Sequence, residues 1–203
     1  MAGNEAFTVV QGRGWQRGMS NLLHGEFSSW FGRRRWLRNS LIWVLLVDGI
    51  LLMVLLQARM DPEFSAASAD RDLVALYTIF GGMFVAVGVV IAMQGEIVGE
   101  KRSGTAAWVL SKPVSRPAFV LSKVIGNGLG LLFTAVLIPG VIAYLLYSLV
   151  YFQELIPVGG FLAAMGILGL NAIFWITFTL MLGTFFHNWG PVIAIPMALL
   201  FGQ

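Results

Sequence analysis

Five long apolar runs limit what this chain can fold into. They cover about 41–57, 73–95, 117–152, 158–186 and 191–203, with polar or glycine-rich turns between them. None alternates apolar and polar residues with a period of two, which favours helices over barrel strands. A bilayer core offers no water to backbone N–H and C=O groups, so apolar runs of this length satisfy them along a helix. Charged residues make up only 11% of the 203 positions, too few to clothe a soluble domain. The expected fold is an all-α polytopic membrane helix bundle, with residues 1–203 as a single transmembrane domain. Cysteine is absent, which excludes disulfides, thiolate metal sites and Cys nucleophiles.

Residues 1–40 differ in kind. Arg13, Arg17, Glu26 and the run Arg33-Arg34-Arg35 interrupt their apolar positions, so this is no cleaved signal peptide. Between Asn21 and Leu37, the residues Leu23, Phe27, Trp30 and Phe31 fall at i, i+4, i+7 and i+8, on one helical face. With Arg33 to Arg35 and Arg38 following, the pattern predicts a polar tail and then an amphipathic elbow helix in the headgroup layer. At the other end, 191–203 gives roughly 20 Å of helix, short of the ~30 Å of hydrocarbon. The expectation there is a fold truncated in its fifth span. Pro139 predicts a kink in the third.

Charge placement predicts the orientation. The segment before the first span holds six Lys or Arg residues, and the loop 96–123 holds five. Only Arg59 and Arg71 lie elsewhere, in a linker (57–72) that carries Asp61, Glu63, Asp70 and Asp72. The positive-inside rule then puts the N-terminus and the 96–123 loop in the cytoplasm and the 57–72 linker outside.

Chemistry-bearing residues are sparse. Gly99 to Thr105 has the glycine spacing of a phosphate loop, but Thr105 stands where Lys is required and no apolar strand precedes it. The glycines of Gly126-Asn127-Gly128-Leu129-Gly130 fit close helix packing better than nucleotide binding. Asp48 is a carboxylate well inside a span, either a functional group facing a cavity or an inward residue with a local partner. Asn127 and Asn171 join helices or line a pathway. His24 and His187 lack the convergent acids that catalysis or a metal needs. No catalytic residue, bound cofactor, metal site or nucleic-acid partner is expected.

The loop 96–123 has more content. Glu96 and Glu100 share a face at the end of the second span, followed by Lys101 and Arg102. Ser103-Gly104-Thr105 stops that helix, Ala106 to Leu110 gives a short second one, and Lys112-Pro113 ends it. Ser115-Arg116-Pro117 then suits the start of the third span. The ordered series Glu96, Glu100-Lys101-Arg102-Ser103-Gly104-Thr105, Leu110-Ser111-Lys112-Pro113-Val114-Ser115-Arg116 and Lys123 resembles the permeases of type-2 ABC transporters. Over about thirty residues it is similar to that family's E-(K/R)-x-(S/N)-G-T, L-x-x-P-(V/I)-S-R and Lys pattern.

The resemblance implies a six-span permease subunit of an exporter, in a prokaryotic inner membrane with a cytoplasmic N-terminus. It implies pairing with a second permease, as a homo- or heterodimer, and with two ABC ATP-binding subunits that hold ATP and Mg. The segment 104–113 would be the coupling helix. Glu96, Glu100, Lys101, Arg102, Gly104, Thr105, Trp108, Leu110, Pro113 and Arg116 would contact the ATPase, with Glu96 and Glu100 near the elbow helix. Asp48, Asn127 and Asn171 would border a translocation pathway. The alternative is a non-transporting module that uses ATPase motion for maturation or signalling. An intramembrane enzyme would require Asp48 and His187 to share a cavity.

Overall fold

The computed structural model describes residues 14–32, 34–60, 66–152 and 157–202. The expected tail as far as Arg13, Arg33, the linker acids Asp61 and Glu63, and most of the turn after the third span lie outside the described residues. Those described are helical, with no strand among them. Helix α1 covers Met19–Phe27 and runs on as wider π-type turns through Ser28–Gly32. Then come α2 (Arg35–Met60), α3 (Ala66–Arg102), α4 (Thr105–Leu110), α5 (Arg116–Leu149), α6 (Val158–Phe185) and α7 (Trp189–Phe201).

Four of these stretches are long and apolar enough to cross a membrane: Arg35–Met60, Tyr77–Arg102, Arg116–Leu149 and Val158–Phe185. Helix α2 begins six residues before the expected span at 41. The 26 residues of α2 make about 39 Å of helix against ~30 Å of hydrocarbon, so one end stands in the headgroup layer. Helix α3, with 37 residues, reaches about 55 Å, and the part of it apolar enough to span is Tyr77–Arg102.

Local sequence sets the breaks. Arg34, at φ 55, divides α1 from α2, so the elbow helix ends at Gly32 instead of running to Leu37. Gly104, at φ 77, takes the left-handed turn between α3 and α4. Helix α4 spans Thr105–Leu110, shorter than the expected 104–113, because Gly104 lies outside it and Ser111 to Pro113 form a turn. Ser115 caps α5 by accepting from the Ala118 N–H at 3.1 Å, with Pro117 in the first turn where no N–H is needed. In α5, the π-type turns Leu132–Leu137 directly precede Pro139, whose missing N–H interrupts the ladder there.

Helices α3 and α6 pack along most of their length. Val85, Ala86, Val89, Met93 and Ile97 of α3 and Ala164, Leu168, Ala172, Ile176 and Leu180 of α6 belong to one buried core. At one end of that core Phe161 sits among Tyr77, Tyr144 and Tyr147, with centroids 5.3–5.7 Å apart. Leu45, Met53, Ile79 and Leu170 point outward, as lipid-facing residues do.

Candidate functional site at the junction of α1, α3 and α5

The end of α3 remote from the tyrosines carries a concentration of buried charge. Glu96 and Glu100 are one turn apart on α3, Lys123 and Asn127 one turn apart on α5, and Glu26 and Trp30 one turn apart on α1. A shared helical face explains why each pair points the same way. Lys123 is 3% exposed, and its ammonium lies 2.7 Å from Glu100, 3.0 Å from Glu26 and 3.6 Å from Glu96. An ammonium has three donors, and here three carboxylates surround it.

The second layer fixes the first. Arg35, at the start of α2, pairs with Glu96 at 3.2 Å and lays its guanidinium 4.4 Å over the Trp30 ring. The Trp30 indole N–H donates to Asn127 Oδ1 at 3.0 Å, and Asn127 Nδ2 approaches Glu96 at 3.5 Å. Trp30 and Asn127 are both fully buried.

Close approach of α1 to α5 depends on two glycines. A Cβ on Gly126 would come 2.5 Å from Glu26 Cβ, and one on Gly130 would come 2.4 Å from the Trp30 ring. Gly126 and Gly130 form the bed on which the elbow helix lies, a small-residue contact suited to lipid. Gly128, between them, faces open space.

Three carboxylates against Lys123 and Arg35 leave an excess of one negative charge. Burial raises the Glu26 carboxyl above its ordinary value. Lys123 draws it down by charge and hydrogen bond, while Glu96 and Glu100 push it up. One Glu100 oxygen is buried without a hydrogen-bond partner among the described residues.

The next two cations of α3 turn toward α6. Lys101 Nζ donates to the carbonyls of Gly183, Thr184 and Phe186 at 2.8, 2.6 and 3.3 Å. These are the open carbonyls at the end of α6, which a cation stabilises. Arg102 stacks over Trp189 at the start of α7, 4.7 Å from the ring centroid. The last two turns of α3 therefore touch α2, α5, α6 and α7, and meet α1 through Lys123 and Asn127.

Helix α4 projects from this junction. Ala106 is buried, whereas Gly104, Thr105, Pro113 and Arg116 are exposed and Leu110 is half-buried. Trp108 is 64% exposed, with Lys112 Nζ 4.9 Å from its ring. The link into α5 is tied to the N-terminal segment: the Ser115 N–H donates to Arg17 O at 3.0 Å, and its hydroxyl donates to Trp15 O.

A family model described as ABC-2 family transporter protein matches residues 20–199. The chain belongs to the ABC-2 transporter family. It is the membrane-embedded permease component of an ABC transporter, a family whose members associate with an ABC ATP-binding subunit. No curated protein and no solved structure matches it.

Within this ABC-2 permease the expected site residues separate into groups. Glu96 and Glu100 face the buried Lys123, half-buried Lys101 reaches α6, and Arg102 stays exposed while stacking on Trp189 of α7. Gly104, Thr105, Trp108, Pro113 and Arg116 remain on the surface of the α4 region. Of the three residues expected beside a pathway, Asn127 lies inside the charge network. Asn171 joins α6 to α3 by donating to Gly82 O at 2.9 Å and accepting from the Trp175 N–H at 3.0 Å. It lines an apolar cleft of ≈ 570 Å³ between α3, α6 and α7. Asp48 is 3% exposed in α2, and neither carboxylate oxygen has a hydrogen-bond partner among the described residues.

Sequence reasoning left Glu26, Trp30 and Arg35 off the site. One signal was available: Glu26 and Trp30 share the spacing of Gly126 and Gly130, so an acid and a large ring could meet two positions without side chains.

Proposed function

We propose that this permease relays ATP-driven motion from an ABC ATP-binding subunit to its spans, with α4 as the docking helix. The observation that carries the reading is Trp108, a large aromatic held exposed on a two-turn helix rooted in the charged junction. Exposed tryptophans of this kind dominate protein interfaces when a partner covers them. The positive charge of the same region supports a cytoplasmic α4 and N-terminus in a prokaryotic inner membrane.

In this reading two ATP-binding subunits hold ATP and Mg, and two permeases pair around a pathway. Their closure pushes α4, and α3 carries the displacement to α1, α2, α5 and α6. Export is the direction that the type-2 resemblance supports. Trp108→Ala, assayed by co-purification of a co-expressed cognate ABC ATP-binding subunit, should weaken association about 30-fold, as expected for an interface hot spot of ~2 kcal/mol. The variant should still insert and unfold normally, because Trp108 packs on little else. Undiminished association would remove α4 as the docking element.

A further inference from the structure

A second charged feature lies on the outside of the bundle. Ser29, Arg34, Arg35 and Arg38 line a cleft of ≈ 390 Å³ where α1 meets α2. Arg35 is held in place by Glu96 and the Trp30 ring. Arg34 and Arg38 are exposed and make no ion pair among the described residues. Three guanidiniums less the Glu96 carboxylate leave the cleft with two positive charges.

The surface running down from this cleft is apolar. Arg38, Leu41 and Leu45 fall at i, i+3 and i+7, on one stripe of α2. Leu41 and Leu45 are 60% and 67% exposed, and Leu37 and Ile42 beside them are 45% and 52% exposed. Arginines therefore crown a lipid-facing stripe at the end of a helix too long for the hydrocarbon alone. An acidic protein surface would match the charge but would leave these leucines without a counterpart. A guanidinium fork matches two phosphate oxygens, and two net charges disfavour a zwitterionic headgroup relative to an anionic one.

We propose that the Arg34–Arg35–Arg38 cleft binds the phosphate of one anionic glycerophospholipid whose acyl chains lie along Leu41 and Leu45. Such a lipid would bear on Arg35, and through it on Glu96 and the buried junction. The site is independent of the transport reading, because lipid retention is measured without ATP turnover.

The test uses the purified chain in phosphatidylcholine nanodiscs doped with phosphatidylglycerol, with retained lipids counted by native mass spectrometry. The wild type should keep one phosphatidylglycerol per chain. R34Q/R38Q should hold it about 30-fold less tightly, near the ~1 kcal/mol expected for each arginine. Equal retention by the variant would overturn the proposal. Displacement by inorganic phosphate would also overturn it, since that marks a site for free anions. So would unchanged retention alongside lost binding of the ATP-binding subunit, which assigns the arginines to a protein partner. If R34Q/R38Q does not fold, the wild type decides. Preference for phosphatidylglycerol that disappears as salt rises supports the site, and equal retention of the two lipids refutes it.

Discussion

Lys123→Met removes one charge from the centre of the junction while keeping the length of the side chain. In the native protein this ammonium, its side chain 4% exposed, faces carboxylates whose side chains are 17%, 18% and 28% exposed. Its loss leaves Glu26, Glu96 and Glu100 with Arg35 as their remaining cation. Removing one partner of a buried ion pair costs ~3–5 kcal/mol. Proton uptake sets a ceiling: neutralising a carboxyl with an ordinary value of 4.5 at neutral pH costs about 3.4 kcal/mol. The expected deficit is therefore about 3 kcal/mol, or roughly 6–12 °C in thermal midpoint for a chain of this size.

The sign of the pH dependence separates charge from packing. In the variant Glu26, already raised by burial, loses the cation that draws it down, so the folded state binds protons more readily. The deficit is full above the folded values and shrinks as pH falls toward 4.5, the ordinary value of a Glu carboxyl. Thermal unfolding in detergent, followed by tryptophan fluorescence at alkaline and mildly acidic pH, reads this directly. Adding Glu26→Gln should recover part of the loss at neutral pH and flatten its pH dependence. A K123M protein as stable as wild type, or a deficit that does not change with pH, would refute the electrostatic account.

Two further changes probe the neighbouring packing. Gly130→Leu puts a branched side chain where even a Cβ would lie 2.4 Å from Trp30, so α1 must leave α5. A cysteine at exposed Phe31, in this chain without native cysteine, should then change its labelling rate, and an unchanged rate would mean that α1 sits elsewhere. Asp48→Leu exchanges a buried carboxylate without hydrogen-bond partners for an apolar side chain, and should raise thermal stability by about 1–3 kcal/mol. A lower midpoint would mean that Asp48 has a counterpart, such as a group from a second permease.

The helices were legible because each runs long and apolar and because punctuation at Gly104, Ser115 and Pro139 acts locally. The i, i+4 spacing of Glu96 with Glu100 was legible for the same reason. What faced those acids was not, since a pair spacing states which residues share a face without stating which face meets another helix. Lys101 shows the limit most clearly. The resemblance implied a partner contact for it, and no sequence signal showed that it also closes the end of α6, more than eighty positions along the chain. Nothing in residues 183–186 advertises open carbonyls, because every helix end has them. The start of α2 was missed because arginines look like headgroup residues, and a helix can extend into that layer.

The two ways in which this bundle is held together divide its mechanical roles. Apolar side chains gain little by leaving lipid for one another, so α3 and α6 are matched by shape along their contact. Helix α1 is placed differently. A rotation by one residue turns a helix by about 100° and would carry Glu26 off Lys123 and Trp30 off Gly130. The charge network thus selects a single rotation of the elbow, even though buried ion pairs add little net stability. By contrast, α4 is joined to the rest through the left-handed turn at Gly104 and the short link 111–115. Under the relay proposed above, α4 would adjust to a partner at the Gly104 turn, and a larger displacement would pass through the end of α3 to the helices paired with it. A junction wired on both sides of α3, with α4 attached by two short links, is the arrangement that the proposed relay between two separate proteins would use.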